Sequence, residues 1–165
     1  MRLSKRGEYG LRAMIDLAEA FRNSPNGSSE AAGRVVQIKD IAEREKIPAK
    51  FLEQILLTLK NAGLLHSKMG IGGGYYLAHP PESITLGHIV RVLDGPLAPI
   101  RCVSQMAYEP CGCPDEEACG LRLTMLDVRN AIAGVLDHTN LANVLDRIAT
   151  TRTQMLDRTS QEPIL

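Results

Sequence analysis

Hydrophobic residues recur with a helical period in three segments of the first half of the chain, which predicts three amphipathic helices. The first segment spans 7–22, a short second one is centred on Ile41, and the third runs over 49–62. Pro48 is tolerated in the first turn of a helix and Gly63 favours a helix end, so these residues delimit the third helix. The apolar face of the third helix consists of Phe51, Leu52, Ile55, Leu56 and Leu59.

The stretch after Gly63 predicts a β-hairpin. Residues 64–68 and 75–78 have the composition of short strands, and the glycine-rich residues 70–74 between them are typical of a hairpin tip. Two consecutive helices followed by a hairpin match a winged helix-turn-helix, whose second helix presents polar side chains to the major groove of DNA. A helical hairpin with an ordinary solvated face is the alternative interpretation.

Helical spacing returns in the second half of the chain. Residues 86–93 predict a short helix with Thr85 as its N-cap, and residues 121–137 predict a long one that a further helix follows. Residues 98–119 lack a sustained period, so we expect a loop there. Helix 121–137 is more apolar than a lone surface helix requires, and packing against the rest of its own chain is one explanation.

Composition excludes several classes of protein. The 165 residues suit one domain plus an appendage, and 44% hydrophobic residues suffice for a core. The chain has no apolar run of eighteen residues and begins with an amphipathic segment, so we expect a cytoplasmic protein without a membrane span. It lacks a paired acid–base constellation and a nucleotide-binding loop, so we expect no enzyme. The polar loop 24–33 receives no functional assignment.

The formal net charge of zero conceals an asymmetry. Residues 1–68 contain twelve Lys and Arg against eight Asp and Glu, whereas residues 69–165 contain seven against eleven. The first part therefore carries a net charge of +4 and the second −4. A basic N-terminal part can meet phosphates while the acidic part serves another purpose.

All four cysteines lie within eighteen residues of the predicted loop, at Cys102, Cys111, Cys113 and Cys119. A cytoplasmic chain has little use for structural disulfides, so clustered thiols favour a metal, an iron–sulfur cluster or a redox sensor over incidental small hydrophobic residues. Thiolates are soft ligands that suit iron–sulfur clusters, zinc and copper(I). Zinc binding or direct thiol oxidation stays open as an alternative, and a small metalloprotein without DNA binding is a third.

Two stretches carry a resemblance to a known family: MRLSKRGEYGLRAMIDLA and FLEQILLTLKNAGLLHSKMGIGGGYYLAHPPESITLGHIVRVLDGPL. With their L-E-Q, G-L-L, G-G-G-Y, I-T-L-G and D-G-P-L motifs they resemble the iron–sulfur cluster regulator family (IscR-like, Rrf-two type) over roughly 1–22 and 35–147. This resemblance implies a homodimeric winged helix-turn-helix transcription regulator of double-stranded DNA. Some members hold an iron–sulfur cluster and others do not.

The resemblance implies a mainly α fold with a small β-hairpin wing and a long dimerisation helix. We expect a DNA-binding domain at 1–80, a linker helix and sensor loop at 81–119, dimerisation helices at 120–150 and a flexible tail at 151–165. The expected DNA-contacting residues are Arg2, Lys5, Lys50, Glu53, Gln54, Thr58, Lys60, Lys68, Gly72, Gly73, Gly74 and Tyr75. The operator and the choice between repression and activation stay open.

The resemblance also implies the ligands of a cluster. Cys102, Cys113 and Cys119 match the three cysteines of cluster-holding members, and Cys111 is surplus or exchanges roles with Cys113. Arg122 occupies the position at which the founding member has a histidine ligand, and arginine cannot ligate iron. The leading fourth ligand is Glu8 of the partner subunit, with an all-cysteine site as the alternative. A two-iron or a four-iron cluster is compatible with this pattern.

Overall fold

The computed structural model describes residues 3–24 and 35–159. The mainly α fold with a small β-hairpin is confirmed. In chain order the helices and strands are α1 (Lys5–Arg22), α2 (Ile38–Glu45), α3 (Ala49–Asn61), β1 (Leu65–Lys68), β2 (Gly74–Leu77), α4 (Leu86–Asp94), α5 (Gly120–Asp137) and α6 (Leu141–Thr159), with short 3-10 turns at Pro81–Ser83 and Arg101–Val103. Arg2 and most of the loop 24–33 lie outside the described residues.

The hairpin β1–β2, called the wing below, is antiparallel. Leu65 pairs with Leu77 at the open end, and Lys68 pairs with Gly74 next to the turn. Val36 adds a bridge to Tyr75, with both backbone N–H···O hydrogen bonds at 2.9 Å. The wing is therefore attached to the chain segment that precedes α2.

One aliphatic core holds α1, α2, α3, the wing, α4 and the start of α6 together. The apolar stripe predicted for α3 forms part of it, with Phe51 only partly buried. The large side chains that are almost completely buried are Met14, Leu17, Ile41, Leu52, Ile55, Leu56, Leu59, Leu65, Leu77, Ile84, Ile89 and Leu141. Burial of this side of α3 leaves its opposite face for a partner.

Local signals at the helix ends act as the sequence predicts. The Thr85 hydroxyl accepts a hydrogen bond from the His88 backbone N–H at 3.2 Å and caps α4. Gly63 follows the last turn of α3 with a φ of +79°, a left-handed conformation that glycine adopts without strain. Thr85 thus marks the start of α4, and Gly63 marks the end of α3.

The last two helices differ in their burial. No residue of α5 is buried, whereas Leu141 and Leu145 of α6 enter the core. We expected a flexible tail from residue 151, but α6 continues to Thr159. Arg152 in this extension forms an ion pair with Glu19 of α1 at 2.8 Å. No helix among residues 3–24 and 35–159 is long and apolar enough to cross a membrane.

Candidate DNA interface and cysteine loop

The face of α3 opposite the core is exposed and mostly polar. Because Leu52, Ile55 and Leu59 are buried, the helix turns the intervening positions outward. Sequence analysis missed Leu57, whose side chain is 50% exposed among these polar residues. The exposed residues between the two ends of α3 are Lys50, Glu53, Gln54, Leu57 and Lys60, and the terminal residues Ala49 and Asn61 are exposed as well.

A groove of about 430 Å³ separates this face of α3 from the wing. Glu53 and Lys60 line it from the helix, and Lys68, Met69 and Tyr75 line it from the wing. Burial, and then the nearby Glu53 carboxylate, raise the pKa of Tyr75, so its phenol stays neutral. The structure thus brings together predicted site residues that lie far apart in the sequence.

The glycines of the wing have a structural explanation within the chain. A Cβ atom on Gly73 would lie 2.3 Å from the Lys68 carbonyl oxygen, and one on Gly74 would lie 2.1 Å from that of Val36. We expected residues 72–74 to be glycine so that the backbone could approach DNA closely. For Gly73 and Gly74, close packing against the chain's own backbone already accounts for the residue type, and the approach to DNA stays a prediction.

Thr58 is also engaged within the chain. Its hydroxyl accepts a hydrogen bond from Arg6 Nη2 at 2.7 Å and donates one to the Gln54 carbonyl oxygen at 2.9 Å. The half-buried Thr58 side chain therefore holds Arg6 beside the exposed face of α3. Lys5, one residue earlier, is exposed and pairs with Glu8 at 2.7 Å.

The start of α1 is fastened to the end of α4 by a contact that we call the Ser4–Asp94 clasp. The Asp94 carboxylate accepts hydrogen bonds from the Ser4 backbone N–H, at 2.8 Å, and from the Ser4 hydroxyl. Ser4 in turn caps α1, because its hydroxyl oxygen accepts from the Gly7 N–H at 3.0 Å. A Cβ atom on Gly7 would lie 2.5 Å from Asp94 Oδ2, so the clasp requires glycine at this position.

A second polar contact fastens α4 to the end of α5. Arg91 donates two hydrogen bonds to the Asp137 carboxylate, at 2.5 and 2.9 Å. This hydrogen-bonded guanidinium lowers the pKa of Asp137, and the carboxylate raises the pKa of Arg91. Gly87 leaves room for the pair, since a Cβ atom there would lie 2.0 Å from Asp137 Oδ1.

The cysteine loop connects α4 to α5. Cys102 is buried within the 3-10 turn at its start, Cys111 is partly buried and Cys113 is exposed. Cys119 is partly buried and is the N-cap residue of α5, so its backbone continues into the first helical turn. Arg122, near the start of α5, forms an ion pair with Glu116 of the cysteine loop at 3.4 Å.

The thiols interact in sequence order. Hydrogen bonding from Cys113 lowers the pKa of Cys111, with a smaller contribution from Cys102. Hydrogen bonding to Cys111 raises the pKa of Cys113 to about 11, and contact with Cys119 contributes further. Burial, and then Cys111, raise the pKa of Cys102. Cys111, which sequence reasoning treated as surplus, therefore lies between two of the predicted ligands and is the thiol most easily ionised among these three.

Glu8 lies on α1 and not in the loop. It forms ion pairs with Lys5 at 2.7 Å and with Arg12 at 3.9 Å. It also lines an open hollow of about 550 Å³ together with Leu93 and Asp94. This is the face of α1 that the Ser4–Asp94 clasp joins to the end of α4.

The model of the family described as "Rrf2: Iron-dependent Transcriptional regulator" matches residues 3–147. The chain belongs to the Rrf2 family. It is 35% identical to the HTH-type transcriptional regulator CymR of Bacillus subtilis over 87% of this chain and 89% of that protein.

Solved structures agree with this assignment. The structure of B. subtilis CymR, the global cysteine regulator, has a TM-score of 0.70 at 33% identity, over 89% of this chain and 98% of that one. IscR of T. potens has a TM-score of 0.66 at 32% identity, over 90% and 88%. The oxidised form of Staphylococcus aureus CymR has a TM-score of 0.63 at 30% identity, over 87% and 95%.

This Rrf2 protein is a DNA-binding transcription regulator and not an enzyme. The geometry around α3 agrees with that function, since the face of α3 that is free of core contacts lies beside the wing. Winged-helix folds place such a helix in the major groove.

The cysteine loop fits an iron group in donor chemistry. Its four free thiols are soft donors of the type that iron–sulfur clusters require. Within residues 3–24 and 35–159, however, no three His, Cys, Asp or Glu side chains are arranged to hold a metal ion. The pairwise thiol contacts therefore supply a suitable set of donors that is not preassembled.

Proposed function

We propose that this Rrf2 regulator acts as a homodimer whose affinity for DNA depends on the state of its cysteine loop. The observation that carries the proposal is the position of the thiols. All four lie between α4 and α5, and Cys119 directly begins the exposed helix α5.

The exposed surface of α5 supports the homodimer. Leu121, Val128 and Val135 are 62%, 39% and 61% exposed, and they recur every seven residues. Apolar residues with this spacing form a seam along one side of a helix, the pattern by which two helices associate. Pairing α5 with its copy would bury this seam and place two α3 helices on one DNA duplex.

For DNA recognition we propose that Gln54 and Glu53 contact base edges from α3. The amide of Gln54 suits adenine, and the carboxylate of Glu53 suits the amino group of cytosine. Lys60 and Lys68 line the groove between α3 and the wing, Lys50 is exposed on α3, and all three are suited to phosphates. Lys5 is proposed as a further phosphate contact, with Arg6 held beside it.

For the sensor we propose Cys102, Cys113 and Cys119 as cluster ligands, with Glu8 of the partner subunit as the fourth. The contacts of Cys111 with Cys102 and Cys113 support an exchange of roles with Cys113 or an all-cysteine site. An iron–sulfur cluster, when bound, supplies a redox change and sensitivity to oxidants.

Contacts within one chain offer a route from the loop to the DNA-reading helix. Because Cys119 occupies the N-cap position of α5, a constraint on its thiol acts on the first turn of that helix. The far end of α5 is held by Arg91, and the end of α4 is held to α1 by the Ser4–Asp94 clasp. The Arg6–Thr58 hydrogen bond then joins α1 to α3. A shift between two arrangements of α5 would therefore change the presentation of α3.

The test is an absorption spectrum of the full-length protein purified without oxygen, with iron and sulfide counted per chain. We expect visible absorption that Cys119→Ser abolishes and that Glu8→Ala shifts while the dimer persists. Cys111→Ser should have little effect on the spectrum. If Cys111→Ser bleaches the protein and Glu8→Ala does nothing, the site is all-cysteine. Colourless protein that carries zinc would refute the cluster.

Direct oxidation of Cys111 is the second candidate. The lowered pKa of this thiol favours the reactive thiolate, and one relative of similar structure is described in an oxidised form. Under this candidate, metal-free protein treated with hydrogen peroxide changes its DNA affinity and Cys111→Ser does not. An unchanged affinity of the wild type after oxidation would refute it.

A further inference from the structure

The tip of the wing carries two large apolar side chains that are almost completely exposed to solvent. Met69 is 88% exposed and Ile71 is 108% exposed. The other residues of the turn, Gly70, Gly72 and Gly73, have no side chains, and the Gly73 N–H closes the turn by donating to the Gly70 carbonyl oxygen at 2.9 Å. Met69 and Ile71 are therefore the only side chains that project from a narrow turn.

This tip is continuous with the groove between α3 and the wing. Met69 and Gly70 line the same groove as Glu53 and Lys60 of α3, and the exposed Lys68 immediately precedes the tip. When α3 lies in a major groove, a hairpin beside it reaches toward the neighbouring minor groove. The positive charge of Lys68 then meets the phosphates that border that groove.

We propose that Met69 and Ile71 form an apolar wedge that enters the minor groove and partly unstacks one base step. The minor groove is about 6 Å wide, and a tip with glycine at three of five positions is narrow enough to approach it. Apolar side chains are not drawn to the negative potential of this groove as arginine and lysine are. They act instead by inserting between base pairs, which bends the duplex.

Such a wedge makes binding depend on how easily the DNA base step next to the tip is deformed. Pyrimidine–purine steps such as TA and CA unstack more readily than other steps, so a wedge favours them without a hydrogen bond to either base. This regulator would thus read base edges with α3 and the stiffness of flanking DNA with the wing. The inference rests on the family's DNA binding and not on the proposed cysteine sensor.

The probe is a duplex obtained by selecting random DNA in vitro with the full-length protein. The adenine of the TA step nearest to the wing is replaced by 2-aminopurine, whose fluorescence rises when it is unstacked. We expect binding to raise the fluorescence and to shorten the end-to-end distance measured by energy transfer. The double variant Met69→Ser/Ile71→Ser should lose both signals at saturation. Its preference for TA over AA at this step should fall from about tenfold to near unity.

Lys68→Ala is the matched control. It should weaken binding to every duplex, while saturating protein still gives the full rise in fluorescence. Both exposed positions tolerate serine without touching the core, and an unchanged urea midpoint checks this. The proposal is overturned if the double variant keeps the signals and the TA preference, or if wild-type protein bends and unstacks nothing. It is equally overturned if the double variant binds DNA normally but loses its dimer, since the tip would then contact a second copy.

Discussion

The Arg91–Asp137 pair allows a prediction whose size follows from its geometry. Two hydrogen bonds of 2.5 and 2.9 Å join a guanidinium and a carboxylate whose side chains are 26% and 37% exposed. Exposed ion pairs contribute up to about 1 kcal/mol, and hydrogen bonds to charged groups about 1.5–3 kcal/mol. After a discount for solvent screening, we expect a coupling energy of about 1–2 kcal/mol between these side chains.

A double-mutant cycle with Arg91→Ala and Asp137→Ala, measured by urea unfolding at one protein concentration, gives this coupling directly. Because Arg91 lowers the pKa of Asp137, the stabilisation is fully present above the ordinary carboxyl pKa of 3.8. It is lost as the pH falls through the lower value of the folded protein. The coupling should therefore be constant from pH 7 to about 5 and shrink as the pH approaches 3.

The Lys39–Glu43 pair of α2 serves as the control. Its atoms lie 4.0 Å apart and its side chains are 79% and 69% exposed, so the same cycle should give at most about 0.5 kcal/mol. A coupling for Arg91 and Asp137 that is no larger than that of the control would refute the assignment of this pair as the attachment of α5. So would a coupling that stays unchanged at pH 3.

Three further predictions concern DNA contact and the attachment of α1. Gln54→Ala should weaken binding to the selected operator by about 1–3 kcal/mol in a titration and leave binding to unrelated DNA unchanged, and equal losses on both would contradict base contact. Lys68→Ala should weaken binding to all sequences alike and reduce the salt dependence by about one unit, whereas a loss on one operator alone would argue against a phosphate contact. Gly7→Ala should lower the free energy of unfolding by about 1–2 kcal/mol because the new methyl group displaces Asp94, whereas Gly112→Ala, in open space, should be nearly neutral.

Much of the fold follows from local signals. Apolar periodicity predicts α1 and α3, since a helix that buries one face must repeat its apolar residues along that face. It also predicts α5, although no residue of that helix is buried within the chain. Thr85 and Gly63 mark helix ends through contacts within one turn of chain. The continuation of α6 to Thr159 escaped prediction because its polar residues carry no periodic signal, and one observed support is the ion pair of Arg152 to α1.

The contacts that organise the candidate site are not local and could not be read from the pattern. Ser4 and Asp94 are 90 positions apart, and Arg91 and Asp137 are 46 apart. Thr58 has the spacing of an exposed helical residue, yet Arg6 occupies its hydroxyl. The order in which the thiols interact likewise depends on how the irregular loop folds, so the sequence could identify the cysteines but not the central place of Cys111.

The two fastenings of α4 have a consequence for how such regulators diversify. The chain leaves the winged domain after Asp94, which the Ser4–Asp94 clasp holds, and its return is fixed at Asp137 by Arg91 of the same helix. Directly afterwards, the Leu86 N–H donates to the Thr139 carbonyl oxygen at 2.9 Å. The intervening segment is thus an insertion with both ends anchored on a single helix. The segment between Asp94 and Asp137 contains no residue of α3 or the wing. It can therefore be exchanged, in evolution or by design, for one that responds to a different signal while the DNA-reading residues stay the same.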